Sequence, residues 1–108
     1  MADEVLLVLS TFPDAETARR IAEQLVREHF VACANILPGV QSIYHWQGKV
    51  EKAAETMVLF KTTRVRLAEF QTKLKALHPY DVPEIVALRV SEGLPEYLQW
   101  VRENCSAA

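Results

Sequence analysis

The spacing of apolar and polar positions divides the chain into short elements. Residues 5–9 (Val5, Leu6, Leu7, Val8, Leu9) form a run with no polar position, the pattern of a strand buried on both faces. Thr11, Phe12, Pro13 and Asp14 break it and predict a helix start, with acidic residues at the positive end of the helix dipole. Ala15, Ala18, Ile21, Ala22, Leu25 and Val26 then recur at helical spacing, opposite Glu16, Arg19, Arg20 and Glu23, and the helix is expected to end near His29. Residues 31–46 read as extended, with a bulge or bend at Pro38-Gly39, and Gln47-Gly48 reads as a hairpin turn. The return strand, 49–62, is polar at first and then dense in Met57, Val58, Leu59 and Phe60. Val65, Leu67, Phe70, Leu74 and Leu77 predict the buried stripe of a second helix, which His78-Pro79 stops. A fourth strand over 84–90 and a last helix over 94–104 complete the chain.

That order, βαββαβ plus a terminal helix, is the split βαβ pattern of an α+β, ferredoxin-like fold. One domain over 1–108 is expected. Two helices cover only one face of the sheet, yet the consecutive apolar positions ask for burial of both. The long hairpin also carries Tyr44 and Trp46 beyond the helices' reach. Packing sheet against sheet in a homo-oligomer would cover both.

Charge narrows the functions. Twelve Lys and Arg are scattered among fourteen Asp and Glu, for a net charge of −2, so no basic stripe serves nucleic acid or an anionic membrane. The opening Met1-Ala2-Asp3-Glu4 is acidic where a signal peptide is basic, and no apolar run spans a bilayer, so a cytoplasmic protein is expected. Cys33 and Cys105 are far apart and imply neither a disulfide framework nor a zinc cage. The isolated Gly39, Gly48 and Gly93 form no phosphate-cradling loop, so no organic cofactor is expected. Without a nucleophile elbow or an HExxH motif, no enzymatic turnover is expected either.

Ala32-Cys33-Ala34-Asn35-Ile36 with Pro38-Gly39, then Ser42-Ile43-Tyr44-His45-Trp46 and Gly48, resemble the CutA divalent-cation tolerance family. Glu55 leading to Lys61-Thr62-Thr63, His78-Pro79-Tyr80-Asp81-Val82-Pro83-Glu84, and Tyr97-Leu98-Gln99-Trp100 agree with it in order. The resemblance implies a homotrimer similar to the PII signalling proteins, with long hairpins reaching over neighbouring subunits, and a response to divalent metals, copper above all. A copper-site pattern of the family pairs a cysteine, where this chain has Ser10, with a histidine pair, where it has Leu77-His78. Only His78 matches, so weak Cu(II) binding is expected.

The topology gathers Ser10, Thr11, His78, Tyr80, Asp81 and Glu84 at one sheet end. His78 and Glu84 there suit a metal or a proton relay, or else the polar groups simply satisfy a proline-shaped loop. Cys33 starts the second strand at the opposite end, as a small buried hydrophobe or as a third metal ligand. Lys61 reads as a strand-end lysine in water, or as a buried cation facing Glu55 or Glu84 of another subunit. Tyr44, Trp46 and Trp100 are packing anchors, or a ligand cage where subunits meet; Tyr80 and Asp81 join them as ligand or interface residues. Cys33 is expected to be shielded and Cys105, in a terminal tail, to be reactive. These readings favour a metal-responsive binding protein. The alternatives are a PII-like small-molecule sensor using intersubunit clefts, and a weak hydrolase or lyase with His78 and Glu84 as acid and base.

Overall fold

β1 (Val5–Phe12) is the apolar run of the sequence, and in the computed structural model, which describes residues 3–106, it lies inside a four-stranded sheet of order β2-β3-β1-β4. It pairs antiparallel with β3 (Lys49–Thr63) from Val5↔Thr63 to Phe12↔Thr56, and with β4 (Val86–Arg89) from Leu6↔Arg89 to Leu9↔Val86. β2 (Cys33–Trp46) forms the far edge against β3. The sheet and its three helices give the expected α+β, ferredoxin-like topology.

Side chains alternate across β1, so Val8 and Phe12 face α1 (Ala15–Arg27) and α2 (Leu67–Leu77). Ala18, Ile21, Ala22 and Leu25 of α1, Phe70 and Leu74 of α2, and Val58 and Phe60 of β3 fill that core. Asp14 caps α1 by accepting from the Thr17 N–H at 2.7 Å. Arg66, buried ahead of α2, donates to the His29 and Glu28 carbonyls at the other end of α1 and covers the Phe30 ring.

The opposite face is only partly covered. α3 (Pro95–Asn104) packs Val101 and the following Cys105 against Val5 and Ala32, while Leu37, Val86 and Leu88 stay exposed. The hairpin projects as well. β1 ends against Thr56, so Val40–Trp46 and Lys49–Glu55 pair only with each other, as a two-stranded ribbon. The bulge falls between Leu37 and Val40, with Gly39 at φ 78°, and Gln47 and Gly48 turn the tip at φ 50° and 78°. The chain exposes 6908 Å², where a monomer of 12.3 kDa averages about 6,100 Å². Its radius of gyration is 14.4 Å, against about 13 Å for a compact domain of this length. The ribbon and the open face account for both excesses.

Three expectations need correction. Val65 lies ahead of α2 and is exposed instead of joining its stripe, because the chain between β3 and the helix turns at Thr63–Arg66. Ala15 is exposed at the first position of α1, one turn short of the core. Cys105 is not in a loose tail: it closes α3 and is buried, its thiol 3.9 Å from the Lys61 carbonyl, and burial pushes that thiol above its ordinary pKa.

Candidate functional site

The loop after α2 returns over the end of β1 and brings His78 onto Phe12, with ring centroids 4.5 Å apart and planes at 20°. His78 is buried. Its Nε2 lies 2.8 Å from the Thr11 carbonyl oxygen and its Nδ1 lies 3.1 Å from the Tyr80 backbone nitrogen. A backbone N–H can only donate, so Nδ1 accepts, and Nε2 carries the proton it gives to Thr11. Both ring nitrogens are thereby engaged. Burial lowers the His78 pKa, against the pull of the Thr11 carbonyl and the Glu55 carboxylate, which favours the neutral ring.

Tyr80 extends the network. Its ring lies 4.9 Å from that of His78, and its hydroxyl donates to Glu55 Oε2 at 2.7 Å. Burial first, and the Glu55 contact next, raise the phenol pKa, so the hydroxyl stays protonated and keeps donating. Nothing local in the sequence marks the Glu55–Tyr80 pair. The two are distant in sequence, and only the register that sets Phe12 against Thr56 brings the base of the ribbon beside this loop. Ser10 has a buried hydroxyl with no hydrogen-bond partner among the described residues.

Of the residues expected at this end, Ser10, Thr11, His78 and Tyr80 do cluster. Asp81 and Glu84 are on the same loop but exposed, and neither makes a side-chain hydrogen bond or ion pair with a described residue. Cys33 is at the other end of the sheet, paired in register with Lys61. There Lys61 Nζ donates to Asn35 Oδ1 at 2.8 Å and lies 5.8 Å from the Tyr97 ring centre. Cys33 Sγ and the Tyr97 hydroxyl are 3.6 Å apart, a hydrogen bond either can donate. Tyr97 stacks on Trp100 at 5.6 Å. Glu55, held by Tyr80, is not beside Lys61 in the same chain. Tyr44 and Trp46 stand exposed on the ribbon.

A divalent cation needs several free lone pairs converging on one point. His78 has none free, and no group of three His, Cys, Asp or Glu among the described residues converges on a cation position. As folded, the described residues of one chain therefore offer no cation cage. No helix among the described residues is long and apolar enough to cross a membrane.

A ferredoxin-like domain with an extended β2–β3 ribbon and a half-covered sheet defines a class of small α+β domains. Within it, the chain belongs to the CutA1 family: residues 6–104 match the family described as "CutA1 divalent ion tolerance protein". It is 53% identical over 98 residues to the divalent-cation tolerance protein CutA of Thermus thermophilus, covering 91% of this chain and 95% of that protein. The solved structure of the Thermus protein superposes with a TM-score of 0.92 at 51% identity, over 94% of this chain and 99% of that one. CutA1 from Oryza sativa superposes at 0.93 with 36% identity, over 97% and 96%.

Proposed function

We propose that this chain is a cytoplasmic, non-enzymatic protein that responds to divalent cations and works as a homotrimer. Membership in a divalent ion tolerance family supports the cation, and two free thiols suit a reducing compartment. The observation that carries the assembly is the open sheet face, with Leu37, Val86 and Leu88 exposed beside a ribbon bearing Ile43, Tyr44, Trp46 and Val50. A patch of this kind marks association. Light scattering after size exclusion should give three subunit masses at micromolar concentration; a single-subunit mass would overturn the assembly.

For the cation we infer Cu(II), which heads the divalent affinity order, with His78 and Glu84 as its contacts and Cys33 as a more distant candidate. The imidazole has to give up the Tyr80 N–H to free a lone pair, so the affinity is weak, roughly micromolar, or about −8 kcal/mol. Calorimetry checks this. His78→Ala should remove most of the copper heat and Glu84→Gln part of it. Equal affinity in wild type and both variants would move the cation elsewhere.

A further inference from the structure

Residues 79–84, between His78 and β4, are largely exposed and form neither helix nor strand. Among the described residues they make no backbone–backbone hydrogen bond, and the two hydrogen bonds that hold them are both Tyr80's. Its backbone N–H donates to His78 Nδ1 at 3.1 Å, and its hydroxyl donates to Glu55 Oε2 at 2.7 Å. One residue thus caps an imidazole lone pair and a carboxylate whose charge acts on the same ring. The other ring nitrogen is held by the Thr11 carbonyl and the ring stacks on Phe12, so His78 keeps its place when Tyr80 leaves. A segment with so few ties opens locally without unfolding the core.

We propose that Tyr80 is a gate: when residues 79–84 swing out, His78 Nδ1 and the Glu55 carboxylate are uncovered together, as one nitrogen and one oxygen donor for a divalent cation. This rests on the cation contact proposed for His78, and adds Glu55 as a second contact and Tyr80 as the residue that controls access to both. An imidazole and a carboxylate are a donor set that suits Cu(II). The cation binds the open form only, so its apparent affinity is the intrinsic one scaled by the fraction of molecules that are open. The part-buried bond from the Tyr80 hydroxyl to a charged acceptor holds the gate shut. Removing that hydroxyl raises the open fraction and leaves both donors in place.

The test compares wild type, Tyr80→Phe and Glu55→Ala by two readouts. In the metal-free protein, diethyl pyrocarbonate modifies free imidazole nitrogens, and peptide mapping scores His78 against the exposed His45. Both variants lose the bond between hydroxyl and carboxylate, so His78 should react at least about fivefold faster in each. Calorimetry with Cu(II) then separates them. Tyr80→Phe should bind copper tighter than wild type by the same factor as its gain in reactivity. Glu55→Ala, open but short of the oxygen donor, should bind at least about fivefold weaker than Tyr80→Phe. Circular dichroism and assembly mass matching wild type would establish that the variants are folded. If Glu55→Ala does not fold, Glu55→Gln keeps an acceptor for Tyr80, and should leave His78 near its wild-type reactivity while weakening copper. His78 reacting no faster in Tyr80→Phe would overturn the gate. Equal copper affinity in Tyr80→Phe and Glu55→Ala would overturn Glu55 as a contact. Faster reaction of His78 with no copper bound by any of the three proteins would overturn the cation reading itself, so the two failures are told apart.

Discussion

At His78 the surrounding backbone decides the chemistry of the side chain. The Tyr80 N–H and the Thr11 carbonyl together select one neutral tautomer, and protonation would set an Nδ1–H against the Tyr80 N–H. The folded pKa is lowered, so the unfolded chain binds the proton more readily. The stability from this arrangement is fully present above the ordinary histidine value near 6.5 and is lost as pH falls from there through the folded value. Glu55 faces the ring and softens the loss without reversing it. Denaturant unfolding between pH 7.5 and 5 should show wild type losing stability with a slope of at most about 1.4 kcal/mol per pH unit from this group. His78→Gln should flatten that slope; identical slopes would show that the ring is not held neutral. Thiol reactivity is decided by placement in the same way. Cys105 is buried under α3 and Cys33 only half-buried, so peptide mapping after timed alkylation should find Cys33 modified first and Cys105 only as the fold opens. Comparable rates would mean that the α3 end frays. The sequence placed His78 at its sheet end because strand order alone brings the α2–β4 loop to the end of β1. It could not show Glu55 on Tyr80 or Cys105 under α3, since both depend on how far one element overhangs or doubles back on another.

Most of the elements were legible from periodicity, and their exact ends were not. β1 runs on to Phe12 because β3 is long enough to pair with it throughout, although Ser10 and Thr11 look like a strand exit. β4 shrinks to Val86–Arg89 because it pairs only with Leu6–Leu9. The turn at Gln47-Gly48 was readable from the residue types, since a left-handed backbone favours glycine. Arg66 was not readable, for nothing local marks it. A buried guanidinium between the end of α1 and the start of α2 gives the Glu28 and His29 carbonyls, just past α1, a charged donor and lies 4.4 Å over Phe30. Glu69, 3.3 Å away and exposed, adds little. Replacing Arg66 with Ala removes charged hydrogen bonds to part-buried carbonyls and the cover of the ring, so a loss of about 2 kcal/mol is expected in chemical denaturation. A loss under about 0.5 kcal/mol, the usual scale of surface changes, would show that water replaces the clamp at no cost.

For the whole molecule, the side chains that look wrong on a single chain are those that an assembly would use. Leu88 and Val86 point out of the edge strand onto the open face, next to Leu7 and Leu9, and the ribbon leaves the domain at the same sheet end as the His78 loop. A lone chain would gain little from Leu88, which is 49% exposed. Leu88→Lys therefore separates the two cases. In a protein that functions as a monomer the change is a surface substitution, worth within about 0.5 kcal/mol, and the thermal midpoint does not depend on concentration. In an assembly sealed across this face, the lysine brings an unpaired charge into each contact. The variant should then run at one subunit mass, and its melting temperature should fall well below that of wild type, because association is coupled to folding. Light scattering and thermal unfolding at two concentrations differing tenfold would check this. A Leu88→Lys protein with the wild-type mass and midpoint would mean that the open face is not the contact, and would leave the exposed ribbon as the remaining surface for association.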